Sequence, residues 1–296
     1  MLLLITGSLD GTSDRIVSRI GSNVFRLNYD LWKDYRISFT EEGWEIVNPE
    51  GLTITSETVS RAYWWKAFSF WPSSQDKFIT AEVKYLFKDI YGWCLDRGLT
   101  IGNPIDFHNR FGKMSILNLA KRYFSVPKTL VTIRGHGLNT LPSVDIVAKS
   151  LASEVSDKGT FLHTTSVSRE QLDIEYPWYL QEKIHSNWDV TIFYCAEKIF
   201  AFRRSRRNLK GLDWRAEQKF FYEEQEWFPF TPDSKIKKSL AMLSRDMGVE
   251  FGRYDFMERQ DGELEFLEYN ANGQWVFLDI EDKYGLLDSV ADWLRT

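Results

Sequence analysis

The chain of 296 residues is long enough for a sizeable core, and single cores stop growing at about 250–300 residues, so it predicts two or three lobes. Hydrophobic residues make up 43% and charged residues 27%, the ordinary balance of a globular protein in water. A net charge of −5 disfavours a general nucleic-acid binder. Cys94 and Cys195 are too few for a disulfide framework or a zinc site, which favours a reducing compartment.

The N-terminal segment predicts an open α/β lobe. Leu2–Thr6 has the pattern of a short strand, Ser13 or Asp14 can cap a helix, and residues 23–28 predict a second strand. This β-α-β start is typical of an open sheet covered by helices. The glycines after the first strand do not make a dinucleotide fingerprint, which disfavours a Rossmann cofactor.

The apolar segments predict no membrane partner. The apolar run at the start is too short for a signal peptide and lacks a basic leader. No apolar run elsewhere approaches the length of a membrane span. We therefore expect a cytoplasmic protein.

The next segment alternates between strand and helix signals. Residues 36–62 predict several short strands, residues 61–68 a buried strand, and residues 79–99 a helix. Asn103-Pro104 breaks the pattern and predicts a boundary between lobes.

Further helix and strand signals follow this boundary. Residues 109–124 predict a helix, and residues 126–132 predict an edge strand that a proline opens. Residues 144–153 predict a helix that leads into a strand carrying Lys149. Residues 178–184 predict another strand.

The last third of the chain predicts a hairpin, a helix and a second hairpin. Residues 189–204 have the pattern of two strands joined at 196–197. Residues 235–247 predict an amphipathic helix that ends near Gly248. The second hairpin spans residues 252–275.

The second hairpin carries negative charge where a packed sheet is expected. Asp261-Gly262 is a strong signal for a two-residue turn, and counting outward from it places Asp255 opposite Glu268. Like charges in directly opposed positions are destabilising. Asn270 leaves the same face as Glu268, because it lies two residues further along the strand. A cation between these oxygen ligands resolves the conflict, and the donor set suits Mg²⁺ rather than zinc.

The alternative is an exposed hairpin whose acids are simply solvated, since exposed charges are the norm. The apolar flanks, the opposed register and the asparagine on the same face favour the metal site. The four histidines lack metal-ligand spacing, and no G-x-S-x-G motif supports a Ser/His/Asp hydrolase.

The stretch RYDF…LEFLEYNANGQW resembles the terminal motif of the ATP-grasp ligases. It is closest to the microviridin-type (graspetide) peptide ligases, where fLEiNpnGQw is typical, and more distant from ligases that add glutamate to ribosomal proteins. Tyr and Ala replace the Ile and Pro of that pattern at two positions that are not ligands. The resemblance runs in motif order from about Asn103 to Trp275. It implies that Asp255, Glu268 and Asn270 hold magnesium, as two ions, beside ATP.

The resemblance also implies the fold, which is α/β with α+β lobes enclosing ATP. An N-terminal pre-ATP-grasp α/β domain would cover residues 1–103. A central lobe that acts as the lid would cover 104–182, and a C-terminal lobe with the metal site would cover 183–296.

Family positions of the nucleotide site map onto this sequence one at a time. Lys113 and Lys149 resemble the two lysines that contact the phosphates, although Ser150 replaces the proline common after the second. LQEKIHSNWDVTIF resembles the adenine hinge, with backbone groups of Glu182 and Ile184 facing the base. The ATP-binding residues that this implies are Gln181, Glu182, Lys183, Ile184 and Asp189. Alone, these motifs predict only solvated chain ends and an ordinary edge strand.

The arginine-rich segment FAFRRSRRNLKGLDWR resembles the family strand whose arginine faces the phosphates, which implies Arg203 or Arg204. The DWR that follows resembles the loop recognising an acidic residue of the peptide substrate. It implies a catalytic and substrate-binding role for Arg215, with Asp213 orienting it, because an arginine fork fits a carboxylate. Alone, this run also fits a solvated loop or a nucleic-acid patch, and the acidic chain disfavours the latter.

The resemblance implies an ADP-forming ligase that activates Glu or Asp side chains of a ribosomally made precursor peptide as acyl phosphates. Thr/Ser hydroxyls or Lys amines would then displace phosphate and close macrocyclic esters or amides. Two alternatives stay open: a ligase acting on a protein terminus or a free metabolite, and a nucleotide- or peptide-binding module without turnover. The oligomeric state is also open, with a homodimer among the alternatives.

Overall fold

The computed structural model describes residues 1–66, 76–152, 163–173, 175–207, 209, 211–213 and 227–296. Within these residues lie six α-helices: α1 (Gly11–Ile20), α2 (Lys77–Asp96), α3 (Phe107–Arg110), α4 (Lys113–Ala120), α5 (Ser234–Met247) and α6 (Leu286–Arg295). Short 3-10 helices cover Tyr29–Asp34, Leu138–Thr140, Arg169–Gln171 and Val276–Leu278. None of the helices in these ranges has both the length and the apolar character that crossing a membrane requires.

The first sheet is parallel, with the order β2-β1-β6, and consists of β1 (Leu2–Thr6), β2 (Val24–Asn28) and β6 (Arg61–Trp64). Every residue of β1 is buried, as expected for a central strand covered on both faces. Its side chains alternate between a core shared with α2 and a core shared with α1 and α6. The predicted β-α-β start is therefore confirmed.

The cap of α1 differs from the prediction. The helix starts at Gly11, and Asp10 is the N-cap residue rather than Ser13 or Asp14. The Asp10 carboxylate accepts the Ser13 backbone N–H at 3.1 Å, so a side-chain acceptor satisfies an otherwise unpaired first-turn donor.

A small antiparallel sheet with the order β3-β4-β5 covers the other side of α2. Its strands are β3 (Arg36–Thr40), β4 (Gly43–Val47) and β5 (Thr53–Thr55). Trp44, Ile46 and Ile54 join the core that α2 forms with the first sheet. The short strands predicted over this segment are confirmed.

A four-stranded antiparallel sheet with the order β7-β10-β8-β9 follows. Its strands are β7 (Thr129–Thr132), β8 (Ile146–Lys149), β9 (Thr165–Val167) and β10 (Trp178–Glu182). β7 lies at the edge, as its proline predicted. The helix predicted ahead of Lys149 is wrong: Asp145 has a left-handed φ of 58°, which a helix does not tolerate, and the β-branched Ile-Val pair then extends as a strand.

A five-stranded antiparallel sheet with the order β13-β12-β11-β14-β15 forms the C-terminal part of the chain. Its strands are β11 (Ser186–Cys195), β12 (Lys198–Ser205), β13 (Phe228–Phe230), β14 (Phe251–Arg259) and β15 (Leu264–Asn270). Helices α3, α4 and α5 pack on one face, and α6 packs on the other. Both faces of this sheet are therefore covered where it forms the two cores.

Two local predictions in this region have different outcomes. The helix predicted over 109–124 is interrupted, because Gly112 is extended (ψ 171°) and α4 starts only at Lys113. The turn predicted at 196–197 is confirmed. Both of its residues have positive φ, 45° and 69°, as a two-residue hairpin turn requires.

The register of the β14–β15 hairpin corrects one prediction and confirms another. Glu258 pairs with Leu264, and Arg259 N–H donates to the Glu263 carbonyl, so the loop has three residues rather than two. Asp255 pairs with Glu268, but the next residue of β14, Phe256, pairs with Phe266. Leu267 is therefore an extra residue in β15, which makes a β-bulge. This bulge restores the predicted pairing of Asp255 with Glu268.

We expect Gly252→Ala to lower the free energy of unfolding by about 3 kcal/mol. Gly252 has a φ of 152°, and a Cβ there would lie within 3.0 Å of the Tyr269 ring on the neighbouring strand. Gly92→Ala in α2 is the matched control, because nothing lies within 4 Å of its added Cβ. Urea unfolding of both variants measures the difference, and equal midpoints would contradict this account.

Candidate active site

An open cleft lies between the four-stranded and the five-stranded sheets. Side chains of both charges line it, from strands β8, β10, β11, β14 and β15 and from the segment after β12. They include Lys149, Gln181, Asp189, Arg206, Asp213, Arg253, Asp255 and Glu268. Residues far apart in the sequence, such as Lys149 and Glu268, thus line one cleft.

Two side chains hold the Asp255 carboxylate in the cleft. Thr191, directly opposite on β11, donates its hydroxyl to Asp255 Oδ1 at 2.7 Å. Arg253 donates Nε to Oδ1 and Nη2 to Oδ2, both at 3.0 Å. This bidentate pair offsets the charge that Asp255 and Glu268 would otherwise bring together on adjacent strands.

Sequence reasoning missed Arg253 and Thr191. Arg253 lies two residues before Asp255 on β14, so strand alternation places both side chains on one face. That spacing was a usable signal. Thr191 carried no comparable signal, because its role follows from the pairing of β11 with β14, which places it against a residue 64 positions later in the sequence.

Asn270 lies directly opposite Arg253 and on the same face as Glu268 and Asp255. Its Oδ1 accepts the backbone N–H of Asn272 at 3.2 Å, and its carbonyl accepts the Gly273 N–H at 3.1 Å. The asparagine therefore stabilises the turn that follows β15 as well as offering an oxygen ligand.

The three predicted ligands form a fitting set for a hard cation. Asp255, Glu268 and Asn270 offer oxygen donors only, which is the set that Mg²⁺ prefers when phosphates complete the coordination. This set contains only two acidic residues, and nowhere in the described part of the chain do three or more His, Cys, Asp or Glu residues form a group that could hold a metal ion. A cation here would need oxygens from a ligand as well.

Both predicted lysines reach the same region from different elements. Lys113, the first residue of α4, donates to the Ser150 carbonyl at 2.7 Å and lies 3.8 Å from Glu268 Oε2. Lys149, the last residue of β8, donates to Gln181 Oε1 at 3.2 Å. Lys113 thus lies beside Glu268, and Lys149 lines the cleft from the four-stranded sheet.

The predicted hinge residues follow one another along the cleft. Gln181 is buried and donates to Thr129 Oγ1 at 3.0 Å. The backbone N–H groups of Glu182 and Lys183 already donate to the Lys128 and Asp145 carbonyls, at 2.8 and 2.7 Å. The Glu182 N–H is therefore engaged within the sheet, whereas Ile184, which also lines the cleft, lies beyond the end of β10.

Asp189 faces the cleft from β11 and is only 8% exposed. Arg206 donates Nη1 to Asp189 Oδ1 at 2.5 Å, and within the described residues Oδ2 has no hydrogen-bond partner. Burial raises the pKa of Asp189, and the charge of Arg206 opposes that rise. Arg206 was missed by sequence reasoning, although it belongs to the predicted arginine run.

The remaining arginine predictions diverge. Arg203 lies with its guanidinium 4.6 Å from the Trp188 ring centre and 3.9 Å from Glu258, and neither it nor Arg204 is among the residues that line the cleft. Arg204 pairs with Asp189 across the β11–β12 ladder, so it lies on the same face as that carboxylate. Strand alternation therefore separates the two candidates.

The structure describes one of the two predicted substrate-recognition residues. Asp213 is buried in the cleft wall, with its Oδ2 3.9 Å from His163 Nδ1. Arg215 lies outside the described residues.

Solved structures share this architecture over the whole chain. The macrocyclase MdnC bound with precursor peptide MdnA, from Microcystis aeruginosa MRC, has a TM-score of 0.81 and 22% identity, covering 100% of this chain and 99% of that one. A RiPP-associated ATP-grasp ligase from Chryseobacterium gregarium, in complex with ADP and a leader and core peptide, has a TM-score of 0.82 and 21% identity, covering 99% and 96%. The chain has the ATP-grasp fold.

A further ATP-grasp ligase, PsnB, complexed with a phosphomimetic variant of its minimal precursor, Mg and ADP, has a TM-score of 0.74 and 15% identity, covering 99% of this chain and 97% of that one. No protein-family model and no curated protein matches this sequence. The ATP-grasp fold is therefore shared at low identity, and the implied α/β architecture is confirmed.

The pair Asp189–Arg206 predicts a pH-dependent stability. Arg206→Met removes the larger of the two attractions, from Arg206 and Arg204, that oppose the effect of burial. The pKa of Asp189 therefore rises further, and its ionised form loses its bonded arginine. We expect a loss of about 3 kcal/mol in unfolding free energy near neutral pH. Because the folded pKa lies above the unfolded one, stability should recover as the pH falls from about 7 to about 5.

Guanidinium unfolding across that pH range measures the effect. Asp189→Asn combined with Arg206→Met is the matched control, since it removes the titrating carboxyl along with the arginine. A deficit of the single variant that stays constant with pH would contradict the assignment.

Proposed function

We propose that this protein is an ATP-dependent carboxylate ligase acting on a ribosomally made precursor peptide. The observation that carries the proposal is the acid-acid-asparagine set on β14 and β15, flanked by lysines in the cleft of an ATP-grasp fold. MdnC, the Chryseobacterium ligase and PsnB, which share the fold, were each solved with precursor or leader and core peptides.

In this proposal the two sheets are the walls of a nucleotide site. The phosphates would lie near Lys113, Lys149 and the face of β12 that carries Arg204. The base would lie along residues 181–184, and the ribose near Asp189. The Glu182 N–H is already bonded, so Ile184 is the better hinge donor. We keep residues 1–103, 104–182 and 183–296 as the proposed domains.

Asp255, Glu268 and Asn270 would hold Mg²⁺, proposed as two ions, which would offset the triphosphate charge when bound. Arg253 and Thr191 hold the Asp255 carboxylate in place before any ligand arrives. Pre-oriented charges of this kind lower the barrier without reorganising during the reaction.

The reaction requires no protein nucleophile. A carboxylate oxygen of a peptide Glu or Asp attacks the γ-phosphorus of ATP, the bond to the bridging oxygen breaks, and ADP leaves. A Thr or Ser hydroxyl or a Lys amine of the same peptide then attacks the acyl carbon, loses its proton and displaces phosphate. The chain's part is positioning and charge neutralisation. Burial raises the pKa of the Cys94 thiol to about 12, and also that of Cys195, so neither thiol competes as a nucleophile.

We propose that Arg215 recognises an acidic residue of the peptide and that Asp213 orients this arginine. The buried position of Asp213 supports an orienting role. A cytoplasmic location and a homodimer stay predictions, which cell fractionation and light scattering would test.

Asp255→Asn and Glu268→Gln should each lower ADP release by at least about a hundredfold, because both remove charge that faces the phosphates. A coupled assay with ATP, Mg²⁺ and a peptide containing acidic residues and threonines measures it. Glu281→Gln, an exposed change that pairs only with Lys283 among the described residues, is the control and should keep full activity. Wild-type rates in both site variants would refute the ligase proposal.

Each new ester or amide should remove one water from the peptide, which intact mass spectrometry measures. Esters are cleaved by mild base and amides are not, so hydrolysis of the product separates the two linkages. ATP turnover without loss of water from any peptide, but with a free amino acid joined to another substrate, would favour the metabolite ligase. Nucleotide binding with no ADP formed would favour a binding module.

A further inference from the structure

The turn after β15 packs directly against Arg253. The Gly273 N–H donates to the Asn270 carbonyl at 3.1 Å, and a Cβ on Gly273 would lie 2.7 Å from Arg253 Cβ. Only a residue without a side chain fits this approach. The turn therefore lies against the arginine that pairs with Asp255.

Three nitrogens of Arg253 are engaged, and the residue is 7% exposed. Nε and Nη2 donate to the two oxygens of Asp255, and Nη1 donates to the Gln274 carbonyl at 2.9 Å. A guanidinium is planar and rigid, so the position of the Gln274 carbonyl helps to fix the fork that faces Asp255.

The side chain of Gln274 is bonded to a different part of the molecule. Thr12, in the first turn of α1, donates its hydroxyl to Gln274 Oε1 at 2.9 Å. Thr12 is buried, although Gln274 itself is exposed. This hydrogen bond joins the helix that packs on the N-terminal sheet to the turn beside the acidic pair.

The start of α1 is itself well fixed. The Asp10 carboxylate accepts from the Ser13 N–H and also from Lys66 Nζ, at 3.1 and 2.9 Å. Further along the helix, Arg15 donates to the Ile280 carbonyl at 2.7 Å. Removing the Thr12 hydroxyl therefore leaves the helix attached to the C-terminal part of the chain.

We propose that Thr12 and Gln274 are positioning residues that hold Arg253 in register with Asp255. This inference rests on the proposed ligase function, because it gives the N-terminal helix a direct influence on the carboxylate beside the phosphates. The Thr12 hydroxyl bonds to the side-chain oxygen of Gln274, and the backbone carbonyl of Gln274 bonds to the Arg253 guanidinium. The guanidinium in turn bonds to both carboxylate oxygens of Asp255. Neither positioning residue needs to touch the substrate.

Four variants test this connection: Thr12→Val, Thr12→Ser, Gln274→Leu, and Thr12→Val combined with Gln274→Leu. Valine keeps the shape of threonine without the hydroxyl, and serine keeps the hydroxyl. We expect Thr12→Val and Gln274→Leu each to lower kcat for ADP release about fivefold, the equivalent of one net hydrogen bond, with KM for ATP nearly unchanged. Thr12→Ser should keep kcat at the wild-type value.

The double variant should lose no more than either single variant, because both changes break the same contact. Hydrogen exchange of the backbone over residues 270–278 provides a second readout that needs no turnover. We expect faster exchange there in Thr12→Val than in Thr12→Ser, and equal thermal unfolding of the two.

The outcomes separate this inference from the ligase proposal. If the wild type releases no ADP with any peptide, the ligase proposal fails, and hydrogen exchange alone then judges the connection between Thr12 and the turn. Unchanged exchange and unchanged kcat in Thr12→Val would overturn the inference while leaving the ligase proposal intact. A loss of kcat that serine does not restore, or losses that add in the double variant, would also overturn it.

Discussion

The arrangement around the cleft depends on two carboxylates that face each other on neighbouring antiparallel strands. Asp255 and Glu268 are directly opposed, so their negative charges would repel each other, and the chain surrounds them with compensating groups. Arg253 binds both oxygens of Asp255, Thr191 donates a hydroxyl, and Lys113 lies near Glu268. These groups come from β14, β11 and helix α4, so compensation of the acidic pair requires all three elements together.

Backbone irregularities set this geometry. The hairpin loop has three residues, which by itself would shift Asp255 away from Glu268, and the extra residue Leu267 in β15 restores their pairing. Gly252 and Gly273 lack the side chains that would collide with Tyr269 and Arg253. These features reduce regularity in the sheet, yet they allow the acids, the arginine and the following turn to approach closely.

The cleft also depends on contacts between segments remote in sequence. The four-stranded sheet supplies Lys149 and Gln181, and the five-stranded sheet supplies the acids. The N-terminal helix α1 reaches the turn after β15 through Thr12. The surroundings of the acidic pair therefore depend on how the two sheets and helix α1 are placed relative to one another.

The sequence by itself determined the local elements and the acidic set. Strand alternation placed Glu268 and Asn270 on one face, and the resemblance of the motifs indicated the ATP-grasp fold. The pairing of Asp255 with Glu268 was counted from a two-residue turn, and it holds because the extra residue Leu267 offsets the three-residue loop. The sequence did not predict the strand at Ile146–Lys149 or the break at Gly112, because local backbone conformation outweighed helical spacing. Only the tertiary structure decided that Thr191 bonds to Asp255, that Arg206 bonds to Asp189 and that Thr12 bonds to Gln274. Strand pairing and helix packing bring these remote residues together, whereas strand alternation places the adjacent Arg203 and Arg204 on opposite faces of β12.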